Sequence, residues 1–223
     1  MAQETPARVS RAVRARWPAL LKVATHIGAL VPLALLVWDG LHGNLTADPV
    51  RAVILRTGKT ALVLLLLSLA CTPASTWLGF RRAVSLRRPL GLYAFLYAAL
   101  HLLTFVALDY GLDVGLLRQA LFEKPYALAG LACFLLLVPL AVTATRGWMK
   151  RLGKRWKRLH RLVYLALLLA LVHDLWLVKA GVRTPLPYVA VGLLLLAARL
   201  PWIRRAAARW RKGSGRVGQR AGG

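Results

Sequence analysis

A chain of 223 residues that is 58% hydrophobic, with a mean hydropathy of +0.57, does not have the composition of a soluble domain. Its formal charge of +25 raises the question of nucleic acid, but the 32 Lys and Arg residues fall between apolar runs. That is the distribution membrane topology requires, and it makes anionic lipid headgroups the partner of these cations rather than nucleic acid.

In chain order, a basic segment, residues 1–18, carries Arg8, Arg11, Arg14 and Arg16. The first apolar run, Ala19 to Leu41, holds His26; it is too long for a signal-peptide core and lacks an A-x-A site, so it is expected to stay as a span. HGNLTADP follows, turn-like, with His42 facing solvent. The second run is Thr60 to Trp77, and a connection with Arg81, Arg82, Arg87 and Arg88 leads to the third, Pro89 to Leu108, which holds His101. The fourth is Tyr126 to Thr145. Eight basic residues from Arg146 to Arg161 separate it from the fifth, His160 to Val178, which holds His160 and His173. The sixth is Pro187 to Trp202, and a basic, glycine-ended tail closes the chain from 204 to 223.

Each run is uniformly apolar and long enough for a hydrocarbon core of roughly 30 Å, which fits helices and not barrel strands. The expected fold is an all-α six-helix transmembrane bundle over residues 19–203. The positive-inside rule puts both termini in the cytoplasm. Asp39, Asp48, Asp109, Asp113, Glu123 and Asp174 then fall at the outer face. Cys71 and Cys133 lie in or beside apolar runs without metal-ligand spacing, and no C-x-x-C-H is present, so both read as buried thiols. No strong internal repeat is evident.

An imidazole in lipid is costly unless something there needs it. Counted from the last basic residue at the inner boundary of each span, His101 and His173 share a depth of roughly 18 Å at a rise of 1.5 Å per residue. Two neutral imidazoles at one level on two helices suit a metal or a planar macrocycle. Zinc recruits three or four ligands and no such set gathers there, whereas a b-type heme needs two axial ligands and apolar walls, for which Leu100, Leu102, Leu103 and Phe105 are available. His160 lies roughly 20 Å nearer the cytoplasm than His173. Its symmetric partner would be at position 88, which is Arg88, so a four-histidine arrangement is broken; His26 is the remaining candidate for an inner site. On an ideal helix His160 and His173 point about 220° apart, so they share one interior only if the helix bends.

The stretches LKVATHIGALVPL, LTADPV, RTGKTALVLLLLSLACTP, RRPLGLYAFLYAALHLLTF, EKPYALAGL and RLGKRWKRLHRLVYLALLLALVHDLWLVK occur in this order across residues 20–200. Together they resemble the MsrQ/YedZ family, the heme-binding membrane subunits of periplasmic methionine-sulfoxide reductase systems, within the ferric-reductase-like transmembrane group. The resemblance implies a multi-pass cytochrome b of the bacterial inner membrane that binds heme b and performs no substrate chemistry of its own. It would take electrons from quinol or a flavin reductase and deliver them to a periplasmic molybdopterin-containing subunit, its partner in a heterodimer, which reduces methionine sulfoxide in oxidised envelope proteins. It carries ligand roles onto His101, His160 and His173, with His26 matching only some relatives. FMN is linked to the family, but no phosphate-cradling glycine motif stands here to receive it. The rival expectations are an ion or metal transporter with a histidine pathway through the membrane, and a plain membrane anchor.

Overall fold

The computed structural model describes residues 6–178, 186–200 and 203, and every element in them is helical. Helix α1 is Pro6–Leu41 and α2 is Pro49–Trp77; a 3-10 turn, Arg81–Leu86, leads into α3, Arg87–Thr104, which ends in a π-helical segment, Phe105–Asp109. Then come α4 (Val114–Glu123), α5 (Pro125–Val142), α6 (Arg146–Leu152), α7 (Lys154–Leu159), α8 (Leu162–Val178) and α9 (Leu186–Ala197).

Among the described residues five helical stretches are long and apolar enough to cross a membrane: Ala19–Leu41, Pro49–Trp77, Arg81–Asp109, Pro125–Val142 and Lys154–Trp176. The sixth expected span holds only the 12-residue α9, short of the roughly 20 residues a hydrocarbon core takes. Trp202, Lys179, Arg183 and the basic tail lie outside the described residues. The second span begins earlier than hydropathy alone suggests. Asp48 caps it, its carboxylate accepting from the Arg51 amide at 2.9 Å, and Pro49 takes the first helical position, where no amide partner is needed. Arg51, Arg56 and Lys59 therefore ride on the first three turns of α2 instead of a loop.

The tightest packing joins α2 to α3 and α5 to α8, with α3 against α5 between the two pairs. Small residues let these backbones approach, as in membrane bundles generally. Ser68 Oγ on α2 donates to the Arg87 carbonyl at 2.7 Å, and Cys133 Sγ on α5 donates to the Ala166 carbonyl at 3.2 Å. Ala94, Ala166, Leu167 and Leu69 form the sealed centre. Helix α1 is peripheral, with Leu20, Ile27, Leu35 and Trp38 exposed, and it is tied on by Tyr97, whose hydroxyl donates to the Ala29 carbonyl at 2.7 Å. Exposed leucines around the outside, such as Leu67, Leu103, Leu128 and Leu168, are what a surface solvated by lipid tails carries.

Candidate functional site

Helices α3 and α8 bring His101 and His173 together edge to face, with ring centroids 6.0 Å apart and ring planes at 81°. Each ring is anchored by its Nδ1 to the main chain of the helix paired with its own. His101 Nδ1–H donates to the Ile54 carbonyl of α2 at 2.9 Å, and His173 Nδ1–H donates to the Tyr126 carbonyl of α5 at 2.7 Å. A carbonyl only accepts, so both rings carry their proton on Nδ1 and leave a lone pair on Nε2. A histidine that binds a metal through one ring nitrogen commonly donates its other N–H to a carbonyl in this way, which fixes the tautomer and the ring's orientation.

The two anchors are copies of one another. Each carbonyl precedes its histidine by 47 residues. A glycine stands one helical turn beyond each carbonyl, Gly58 and Gly130, directly under the ring. All these positions recur at a spacing of 72 (54 and 126, 58 and 130, 101 and 173), as do the buried pairs Leu65 with Leu137 and Ala94 with Ala166. The α2–α3 hairpin is thus repeated as α5–α8. The repeat is hidden in sequence because any long apolar residue satisfies most of its positions; the signal that reveals it is the glycine and histidine spacing.

The remaining histidines have other neighbours. His160 sits in a turn between α7 and α8, stacked on Trp156 at 4.0 Å, with Nε2 3.1 Å from Thr143 Oγ1. The Thr143 hydroxyl gives its one proton to the Pro139 carbonyl at 2.6 Å, so His160 Nε2–H is the donor, the opposite tautomer to the facing pair. This turn also removes the 220° difficulty, since His160 and His173 are not on one continuous helix. His26 Nδ1 lies 3.0 Å from the Tyr93 hydroxyl. His42 is exposed, as expected, and its Nδ1–H donates to Trp38 in its own helix at 2.9 Å. Of the apolar residues expected to wall a cofactor, Leu103 is 60% exposed and faces outward.

Two imidazole nitrogens suit a cofactor that needs only two axial ligands. Two metal–nitrogen bonds of roughly 2 Å, with about 1 Å from each nitrogen to its ring centre, span roughly 6 Å, which is the observed separation. Two surface hollows lie away from this pair. One of about 400 Å³ is lined by α1 alone, and one of about 310 Å³ opens between α1 and α2 over Asp39, Arg56, Thr57 and Tyr97. Asp39 and Arg56 form an ion pair there.

The family described as the ferric reductase like transmembrane component matches residues 57–171. The protein-methionine-sulfoxide reductase heme-binding subunit MsrQ of Xanthomonas euvesicatoria is 42% identical over 194 residues, covering 84% of this chain and 88% of that protein. MsrQ of Caulobacter vibrioides is 44% identical over 184 residues, 82% of this chain and 88% of its own length. For MsrQ of Rhodospirillum rubrum the figures are 43% over 189 residues, 82% and 89%. Identity of this extent, on a bundle in which several described helices are long and apolar enough to cross a membrane, makes the chain a multi-pass protein of the bacterial inner membrane that belongs to the MsrQ family.

Proposed function

We propose that the chain is a membrane cytochrome b, the non-catalytic electron-transfer subunit that links the respiratory quinone pool to a periplasmic molybdopterin-containing methionine-sulfoxide reductase. The observation that carries this is the meeting of His101 and His173 at 6.0 Å, each with Nδ1 tied to a main-chain carbonyl, in a chain whose relatives are named for binding heme. Methionine sulfoxide is the reversible step of methionine oxidation, so its repair in envelope proteins requires reducing equivalents delivered across the membrane.

His101 and His173 would hold heme b, which would supply a one-electron couple with its potential set by ligand identity and burial. The chain's residues do the rest. His101 and His173 present Nε2, the carbonyls of Ile54 and Tyr126 hold the tautomer, and the apolar centre around Ala94 and Ala166 keeps water away. His160 and His26 are candidates for a second iron; the bond of His160 Nε2 to Thr143 leaves its Nδ1, and the bond of His26 Nδ1 to Tyr93 leaves its Nε2, as the nitrogen that would ligate. FMN comes from the family resemblance alone and is assigned no residues. The donor is quinol or a flavin reductase. The short α9 region completes a sixth span, and the basic connections put both termini in the cytoplasm.

Purified chain is expected to show an intense Soret band with the reduced α and β bands of a b-type heme, and His101→Ala and His173→Ala to lose heme or change the spectrum. A colourless preparation, as a transporter or a plain anchor would give, overturns the reading; so do wild-type spectra from both variants.

A further inference from the structure

A side chain reaching over from a neighbouring helix meets a main-chain carbonyl only if nothing stands above it. In an α-helix the Cα–Cβ bonds tilt toward the N-terminus, so the side chain at i+4 covers the carbonyl of residue i. That carbonyl already accepts from the amide at i+4, and a second, lateral donor needs an open approach. At Ile54 and at Tyr126 the covering position is glycine. A methyl group at Gly58 would lie 3.0 Å from His101 Nδ1 and 3.1 Å from its Cε1, and one at Gly130 would lie 2.9 Å and 3.0 Å from the same atoms of His173. Both are inside the ordinary contact distance of roughly 3.5 Å. A Cβ at Gly130 requires the His173 ring to shift, and one at Gly58 requires the His101 ring to give by a few tenths of an ångström, in each case against its bond to the carbonyl.

We infer that Gly58 and Gly130 are the positioning residues of the histidine pair: by leaving the Ile54 and Tyr126 carbonyls uncovered, they hold each imidazole in its Nδ1–H tautomer with Nε2 free. Neither glycine touches the metal, and each governs one ring. Together they set the near-perpendicular crossing of the rings, 81°, because each ring is held by the neighbouring helix, α2 for His101 and α5 for His173. The inference rests on the reading of His101 and His173 as heme ligands and extends it to the backbone that orients them.

The test compares Gly58→Ala and Gly130→Ala with wild type and with Gly28→Ala, a helical glycine of α1 with nothing within 4 Å of its added methyl. Each site variant is expected to shift the largest g value of the ferric low-spin EPR signal and the reduction midpoint, or to lose heme while accumulating at the wild-type level; Gly28→Ala should match wild type. Wild-type EPR spectra and midpoints in both site variants overturn the inference. If a site variant does not accumulate, the wild-type chain is examined by pulsed ENDOR in H₂O and D₂O. An exchangeable Nδ1 proton is expected on both ligand rings, and a ring without one overturns the proposal. Failure of the heme reading itself shows separately, as wild-type spectra in His101→Ala and His173→Ala.

Discussion

The same side chain does three different things here, and its hydrogen-bond partner decides which. His42, at the exposed end of α1, spends its Nδ1–H on its own helix. His160 donates through Nε2 to Thr143 and stacks on Trp156, whose indole Nε1–H donates to the Thr143 carbonyl at 2.9 Å, so it joins the end of α5 to the turn before α8. His101 and His173 turn Nδ1 to a carbonyl and keep Nε2 for another partner. Because the facing pair does not use His160, a purified His160→Ala chain is expected to retain at least one heme in a pyridine hemochrome assay. Complete loss would tie His160 to the same centre. The sequence made the five histidines visible, and their expected depth singled out the two that the structure brings together; the carbonyls and glycines behind them were not legible, because a main-chain acceptor has no residue type to search for.

At the scale of the helix, caps and close approaches set the boundaries that hydropathy blurs. The Asp48 carboxylate satisfies one of the free amides at the start of α2, and Asp48→Ala is expected to lower stability by about 1 kcal/mol, read as a lower melting temperature of the detergent-solubilised chain. Farther on, α9 packs on α8 with Gly192 against Leu171: a methyl at 192 would come within 2.6 Å of Leu171 Cδ1. Gly192→Ala should therefore destabilise through overpacking, by roughly 1–3 kcal/mol, and Leu171→Ala in the same chain should recover part of that loss although it is destabilising alone. Additive losses in the double variant would show that the two residues are not in contact. Gly153, with φ of +49°, separates α6 from α7 where a residue with a Cβ is strained, and so confines the basic stretch to short helices.

For the whole molecule, the repeated hairpin explains why two ligands from distant sequence positions arrive at one level. α2 and α5 run one way, α3 and α8 the other, so a ring at the same place in each copy lies at the same height, as in parallel repeats about an axis along the membrane normal. The proposed topology has a direct check. Cys71 and Cys133 are both buried, so a cysteine placed at Gly43 should label with an impermeant maleimide from the periplasmic side of intact cells, and one at Gly153 only after the membrane is opened. Labelling in the reverse order would invert the bundle.

Hydropathy and the order of the motifs were enough to identify a helical membrane protein and the family it resembles, and to give its two central histidines an equal expected depth. Each of these depends on local hydrophobicity and the constant rise of a helix. Which faces meet emerges only on folding: the 6.0 Å approach of His101 and His173, the break that separates His160 from α8, and the glycine-cleared carbonyls beneath each ring. Those rest on rotation about helix axes and on contacts between segments far apart in the chain. In uniformly apolar spans no polar face is present to encode them.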